Sequence, residues 1–230
     1  MTNRAIPPAG VDASDAVTVV PANEASWADL RAIFGVRGYA AYCQCQRFKV
    51  GPHPWSRLSV PERMDRLQEE THCGDTGART TSGLVAYLDG EPVSWCAVEP
   101  RTAYPRLPPA RVAWKDRGED KDDAGVWAVT CFATRAGFRR RGVTRALARA
   151  TVAFARERGA RALEAYPMLT EPGQEITWGE THVGTRNIFA DAGLQEVFHP
   201  TPRRLVMRID FEVPAGLHPI VSSEAARRGT

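Results

Sequence analysis

The chain has 230 residues, 43% hydrophobic and 25% charged, with a formal net charge of +3. That length suits one domain with short extensions, and the near-average composition excludes collagen-like, coiled-coil and wholly disordered chains. No run of about 18 apolar residues is present, and the first twenty residues lack the succession of a secretory signal. The expectation is a cytoplasmic protein with no membrane segment.

Residues 1–15, rich in Ala, Pro and Asp, read as an N-terminal tail. Val17 to Val20 is a β-branched run closed by Pro21, a first strand. Ser26 then stands where it caps a helix from Trp27 to Phe34, with Leu30, Ile33 and Phe34 on one face. Residues 35–59 are punctuated by Gly and Pro and carry Tyr39, Tyr42, Phe48 and Trp55, an irregular or partly helical stretch. Cys43 and Cys45 lie there. Without a second pair at zinc-site spacing they read, with Cys73, Cys96 and Cys131, as free structural thiols. Ser59, Pro61 and Glu62 have the spacing of a capping box, opening a helix that ends near Cys73.

Two apolar runs, 83–88 and 91–98, flank Asp89-Gly90, a strong two-residue hairpin signal. Residues 100–124, first Pro-rich and then charged, read as a solvent-exposed connector. Residues 125–134 are almost continuously apolar, as a central strand buried on both faces would be. A helix from Val143 to Arg158 follows, stopped by Gly159, then a short strand from Arg161 to Tyr166. After a loop to about Val183 come a helix over 184–192 and two strands, 194–198 and 204–209, separated by a turn at 199–202. The strands on either side of the Val143 helix should be parallel, since such a crossover is right-handed. The order is β-α-α-β-β-β-α-β-α-β-β. It predicts one α/β domain over 16–212, a mixed, mostly antiparallel central sheet with helices on both faces, and a C-terminal tail over 213–230.

Arg139, Arg140 and Arg141 precede Gly142, Val143 and Thr144 at the mouth of a helix that follows a buried strand. Cations at a helix N-terminus are unfavourable by up to ~1 kcal/mol each unless an anion is bound there. Gly142 lets the backbone turn tightly, and the amides of 142–145 would point into the same space. The physical reading is a pyrophosphate cradle. It is not a nucleotide P-loop, because the Gly-Lys-Ser/Thr ending is missing, and the three spaced glycines of a dinucleotide fingerprint are absent. Of the 30 basic residues only Lys49, Lys115 and Lys121 are lysines. A sequence pI of about 8.7 falls short of a nucleic-acid-binding domain.

In this segment the chain resembles the GNAT superfamily of acyl-CoA-dependent N-acetyltransferases, whose signature Arg/Gln-x-x-Gly-x-Gly/Ala is matched by Arg139 to Thr144. A second match is Phe189-Ala-Asp-Ala-Gly193-Leu194, where the family usually has Tyr-x-x-x-Gly-Phe. The resemblance implies acetyl-CoA as co-substrate, with the backbone of Phe132 and Thr134 pairing with the pantetheine arm. It implies that Arg139, Arg140, Arg141, Gly142, Val143 and Thr144 hold the pyrophosphate, and that a neutral primary amine attacks directly. Thr144 replaces the usual Gly or Ala, and Phe189 replaces a Tyr that often protonates the leaving thiolate.

That substitution leaves the acid open. Tyr166, at the end of the strand bordering the expected thioester site, and His182, with a pKa suited to a base near neutrality, are the catalytic candidates. Glu164, Glu175 and Glu180 are lesser ones. Substrate contacts are expected from residues 35–59, from 95–108 with Trp95, Cys96 and Tyr104, and from 167–182 with Trp178. The expected partner is a small-molecule amine, with no nucleic acid and no membrane, and a homodimer is left open. A non-catalytic acyl-CoA-binding domain is the competing reading, and nucleic-acid binding by the arginines a third.

Overall fold

A computed structural model describes residues 17–51, 55–114, 116–169 and 182–212. Strands β1 (Val17–Pro21), β2 (Gly83–Leu88), β3 (Glu91–Pro100), β4 (Val126–Thr134), β5 (Ala162–Ala165), β6 (Gln195–Thr201) and β7 (Arg204–Asp210) form one sheet in the order β1-β2-β3-β4-β5-β7-β6. Helices are α1 (Trp27–Phe34), α2 (Gly38–Cys43), α3 (Val60–Thr71), α4 (Arg111–Trp114), α5 (Val143–Glu157) and α6 (Arg186–Ala190). Among the described residues no helix is long and apolar enough to cross a membrane.

Local chemistry accounts for the boundaries. Ser26 with Asp29, and Ser59 with Glu62, form complete capping boxes that satisfy the first free amides of α1 and α3. Asp89 and Gly90 both take positive φ, 53° and 79°, as the tight hairpin between β2 and β3 requires. α5 joins β4 to β5, which pair in parallel, while every other pairing is antiparallel. The mixed, mostly antiparallel sheet expected from the sequence is therefore present. One expectation changes. The turn placed at 199–202 lies mostly inside β6, which runs to Thr201. Strand β7 also inserts between β5 and β6, so the last two strands are a hairpin whose second arm is the inner one.

The sheet buries both faces. On one, α5 lays Leu147, Ala148, Phe154 and Ala155 against Val98, Val129, Leu163 and Met207. On the other, Leu30, Ile33 and Phe34 of α1 and Leu67 of α3 cover Val85, Trp95, Ala97 and Cys131. Farther along that second face, Tyr104, Leu107, Ala113 and Trp114 pack on Ala128, Tyr166 and Val206. The 100–124 segment is thus partly core, contrary to the exposed connector expected. Arg101 is 1% exposed and Trp114 donates its indole N–H to the Leu107 carbonyl at 2.7 Å. Trp95 and Cys96 lie inside β3 and are buried in the core, so they are not substrate-facing. All five cysteines are free thiols, and Trp95 donates its indole N–H to the Cys45 Sγ at 3.3 Å. The two tails lie outside the described residues.

Candidate active site

β4 is longer than its parallel partner. Pairing with β5 ends at Val129 and Ala165, and β4 runs on to Thr134. Its register against β3 slips by one residue between Ala97 and Val98, leaving Thr130 as a bulge. A bulge bends a strand and raises its twist, and here it stands where the two parallel strands part. The returning chain at 182–185 borders the gap, and the Phe132 N–H donates to the His182 carbonyl at 2.6 Å.

Two cavities meet at this point. One, about 240 Å³, is lined by Phe132, Thr134, Arg139, Thr144, His182, Gly184, Thr185 and Ile188. The other, about 430 Å³, is bounded by Phe48, Trp55, Leu107, Thr130, Tyr166, His182 and three arginines, Arg47, Arg106 and Arg204. His182, 5% exposed, lines both. The smaller cavity ends at the arginine–glycine turn, and the larger occupies the face where the aromatic segment 35–59 was expected to meet substrate.

The turn has the shape its sequence predicts. Gly142 caps α5 in the left-handed region, φ 78°, with no side-chain cap and no acidic residue in the first helical turn. A Cβ added there would meet nothing within 4 Å, so open space lies in front of the helix amides. Arg139, Arg140 and Arg141 are exposed, and among the described residues no carboxylate pairs with them. Val143 is buried in the core, so only its backbone is available to a ligand. These features suit the diphosphate of an acyl-CoA: free N–H groups, cations, and room for the anion.

The structure changes the expectation for Phe132, whose amide is engaged by the His182 carbonyl, so it cannot donate to a pantetheine arm while that bond stands. Phe189 is fully buried against Phe132, ring centroids 5.9 Å apart, and takes no part in either cavity wall. Gly184 is forced by that packing. Its φ is 82° and a Cβ would lie 2.8 Å from the Phe189 ring.

Tyr166 reaches the larger cavity, yet its hydroxyl donates to Glu164 Oε2 at 3.0 Å. Burial, reinforced by the Glu164 charge, raises the phenol well above its ordinary pKa. In this arrangement the proton of Tyr166, a sequence-based candidate for the acid, is directed at the Glu164 carboxylate. Glu164 is shifted in the opposite direction. Burial would raise it, but Arg117 at 2.6 Å, Arg208 at 2.9 Å and Arg101 outweigh this and hold it below the usual carboxylate value. Cys131 is buried, and its contact with Cys45 together with burial pushes its thiol up, away from nucleophilic use. Glu175, Glu180 and Trp178 lie outside the described residues.

One residue escaped the sequence. Glu99, near the end of β3, is directly opposite Ala128 of β4, and Glu164 of β5 is opposite the same alanine on the other side. Burial raises Glu99 to about 7, against the lowering effect of Lys49. Only the pairing register shows that these two glutamates flank one position.

The sequence profile described as "Acetyltransferase (GNAT) family" matches residues 43–172, more than half of the chain. No curated protein matches. Among solved structures, a GCN5-related N-acetyltransferase from Kribbella flavida is 18% identical, with 86% of this chain and 99% of that one covered and a TM-score of 0.48. The yncA protein of Salmonella typhimurium, solved with acetyl-CoA, is 14% identical over 87% of this chain and 96% of that one, TM-score 0.47. AAC(6')-Ib, solved with paromomycin and acetyl-CoA, is 14% identical over 85% and 94%, TM-score 0.48.

Proposed function

This chain belongs to the acetyltransferase (GNAT) family, and from that premise we propose that it moves the acetyl group of acetyl-CoA to the primary amine of a small molecule, by direct attack in a ternary complex. It is an acyl-CoA-dependent N-acyltransferase with acetyl-CoA as co-substrate. The single observation that carries the finer reading is the pair of cavities that meet at His182, one ending in the cationic turn and the other closed by aromatic and cationic walls.

In this reading Arg139, Arg140 and Arg141 and the amides of Gly142, Val143 and Thr144 hold the diphosphate, and Thr134 and Phe132 line the arm's path. When bound, acetyl-CoA supplies the thioester carbonyl that the amine attacks. Phe48, Trp55 and Tyr166 exclude water from the acceptor and orient it. His182 sits between the compartments and moves a proton from the acceptor nitrogen toward the sulfur, replacing the donor that Phe189 cannot supply.

The test is thiol release from acetyl-CoA across a panel of small-molecule primary amines. Turnover that requires one of these amines is expected. Acetyl-CoA binding without turnover on any amine would favour the non-catalytic reading.

A further inference from the structure

We propose that Arg63 of α3 is a positioning residue for the acceptor: its guanidinium fixes the indole of Trp55, the wall against which the amine seats. The inference rests on the acetyl transfer proposed above and deepens its account of the acceptor cavity. Arg63 lies in the first turn of α3 and is 2% exposed. No ion pair among the described residues includes it. Its Nε donates to the Ser59 carbonyl at 3.2 Å, and its buried Nη1 has no hydrogen-bond partner. What it meets instead is two aromatic faces. The guanidinium carbon stands over the Tyr42 ring, 4.2 Å from the centroid, and over the Trp55 ring at 5.0 Å.

Such a placement is a poor choice for stability alone. A buried cation gives up its hydration, and without a carboxylate only the two π faces and one carbonyl compensate. An aliphatic side chain of similar volume would fill the space without that loss. The Ser59 carbonyl would then keep its backbone partner, the Arg63 amide at 3.2 Å. What the guanidinium adds is geometry. A planar cation stacked on a ring fixes the ring's place and tilt, which an aliphatic chain does not.

The ring so fixed stands at the acceptor. Trp55 lines the acceptor cavity with Phe48, Arg47 and His182. Two further rings meet it edge-on, Tyr42 at 5.2 Å and Tyr39 at 6.2 Å between centroids. Arg47 Nη1 donates to the Tyr39 hydroxyl at 2.9 Å, and the Tyr39 ring lies 6.3 Å from that of His182. The stack thus runs from α3 through Trp55 to the residue that joins the two cavities. Arg63 itself does not line the acceptor cavity, and Tyr42 faces a separate one of about 690 Å³ with Phe34 and Met64. Arg63 therefore reaches the acceptor through Trp55.

The experiment uses the full chain, wild type and Arg63→Met, Arg63→Lys, Trp55→Leu and the Arg63→Met/Trp55→Leu double variant, with the best acceptor of the amine panel. In Arg63→Met and in Trp55→Leu the KM for the amine should rise roughly tenfold. Turnover should stay within a few-fold and the KM for acetyl-CoA should not change. The double variant should be no worse than Trp55→Leu, because one change acts through the other. Arg63→Lys, which keeps the charge but not the planar stack, should fall between wild type and Arg63→Met. A readout without acceptor is nitrogen-15 relaxation of the Trp55 indole N–H, assigned by its loss in Trp55→Leu. In wild type it should be as rigid as the core Trp95, and in Arg63→Met and Arg63→Lys more mobile. A wild-type amine KM in either Arg63 variant, single effects that multiply to roughly a hundredfold in the double variant, or an equally rigid Trp55 indole in either Arg63 variant would overturn the assignment. Failure of every amine to react would overturn the acetyl-transfer reading instead, and the indole measurement would still decide whether Arg63 fixes Trp55.

Discussion

Glu99 and Glu164 stand on the same face of the sheet, one on each side of Ala128, and each lies beside a tyrosine. Their surroundings differ. Glu164 is fully buried and grips Arg117 and Arg208, with Arg101 3.7 Å away, while Glu99 is partly buried with a single lysine. The first carboxyl is held below its ordinary value and the second is raised to about 7. A carboxylate surrounded by arginines is a structural tie. One that can gain and lose a proton near neutrality is available for chemistry, and a pair pushed apart in this way is a guide to acid and base assignment. Residue type and strand position are the same, so environment alone separates the roles.

The largest expected effect comes from breaking the tie. Glu164→Gln leaves three buried or nearly buried guanidinium groups without their shared counter-charge and should destabilise the fold by about 3–5 kcal/mol in urea unfolding at pH 7. The same measurement taken across pH separates the two glutamates. Glu164 has a lowered folded pKa, so its contribution is present above the unfolded value and lost as pH falls through the folded one. Glu99 has a raised folded pKa, so native protein holds its proton more tightly. Wild type should then lose stability relative to Glu99→Gln as pH rises from about 4.5 to 7, at up to about 1.4 kcal/mol per pH unit, with no further change above. Parallel pH profiles for wild type and Glu99→Gln would remove the distinction between the two sites.

A smaller effect is expected at the tyrosine beside Glu164. Tyr166→Phe removes one hydrogen bond from a carboxylate that keeps its arginines, a loss of about 1 kcal/mol. Turnover should stay within a few-fold of wild type, because the hydroxyl faces Glu164. A loss of roughly 100-fold or more would return Tyr166 to the role of acid.

Local signals carried much of this architecture. Ser26 and Ser59 as caps, Asp89-Gly90 as the hairpin and Gly142 as the helix mouth act within a few residues of themselves, so their consequences were legible in the sequence. The buried connector was not, because Trp114 and Arg101 are drawn inward by partners far along the chain, Arg101 by Glu164 and Asp120. The bulge at Thr130 and the alignment of Glu99, Ala128 and Glu164 exist only once strands pair, and no spacing within one strand encodes them. The cationic turn was found from sequence because its components are contiguous.

The central claim is that the turn before α5 binds the diphosphate of acetyl-CoA. Calorimetric titration of acetyl-CoA into wild type, Arg139→Ala and Gly142→Val tests it most directly. Gly142 has φ 78° and faces open space, so a β-branched side chain there both strains the turn and enters the volume assigned to the anion. Binding to wild type, weakened roughly tenfold or more in Gly142→Val and less in Arg139→Ala, with helix content unchanged by circular dichroism, is the predicted result; equal affinity in all three proteins would contradict the claim.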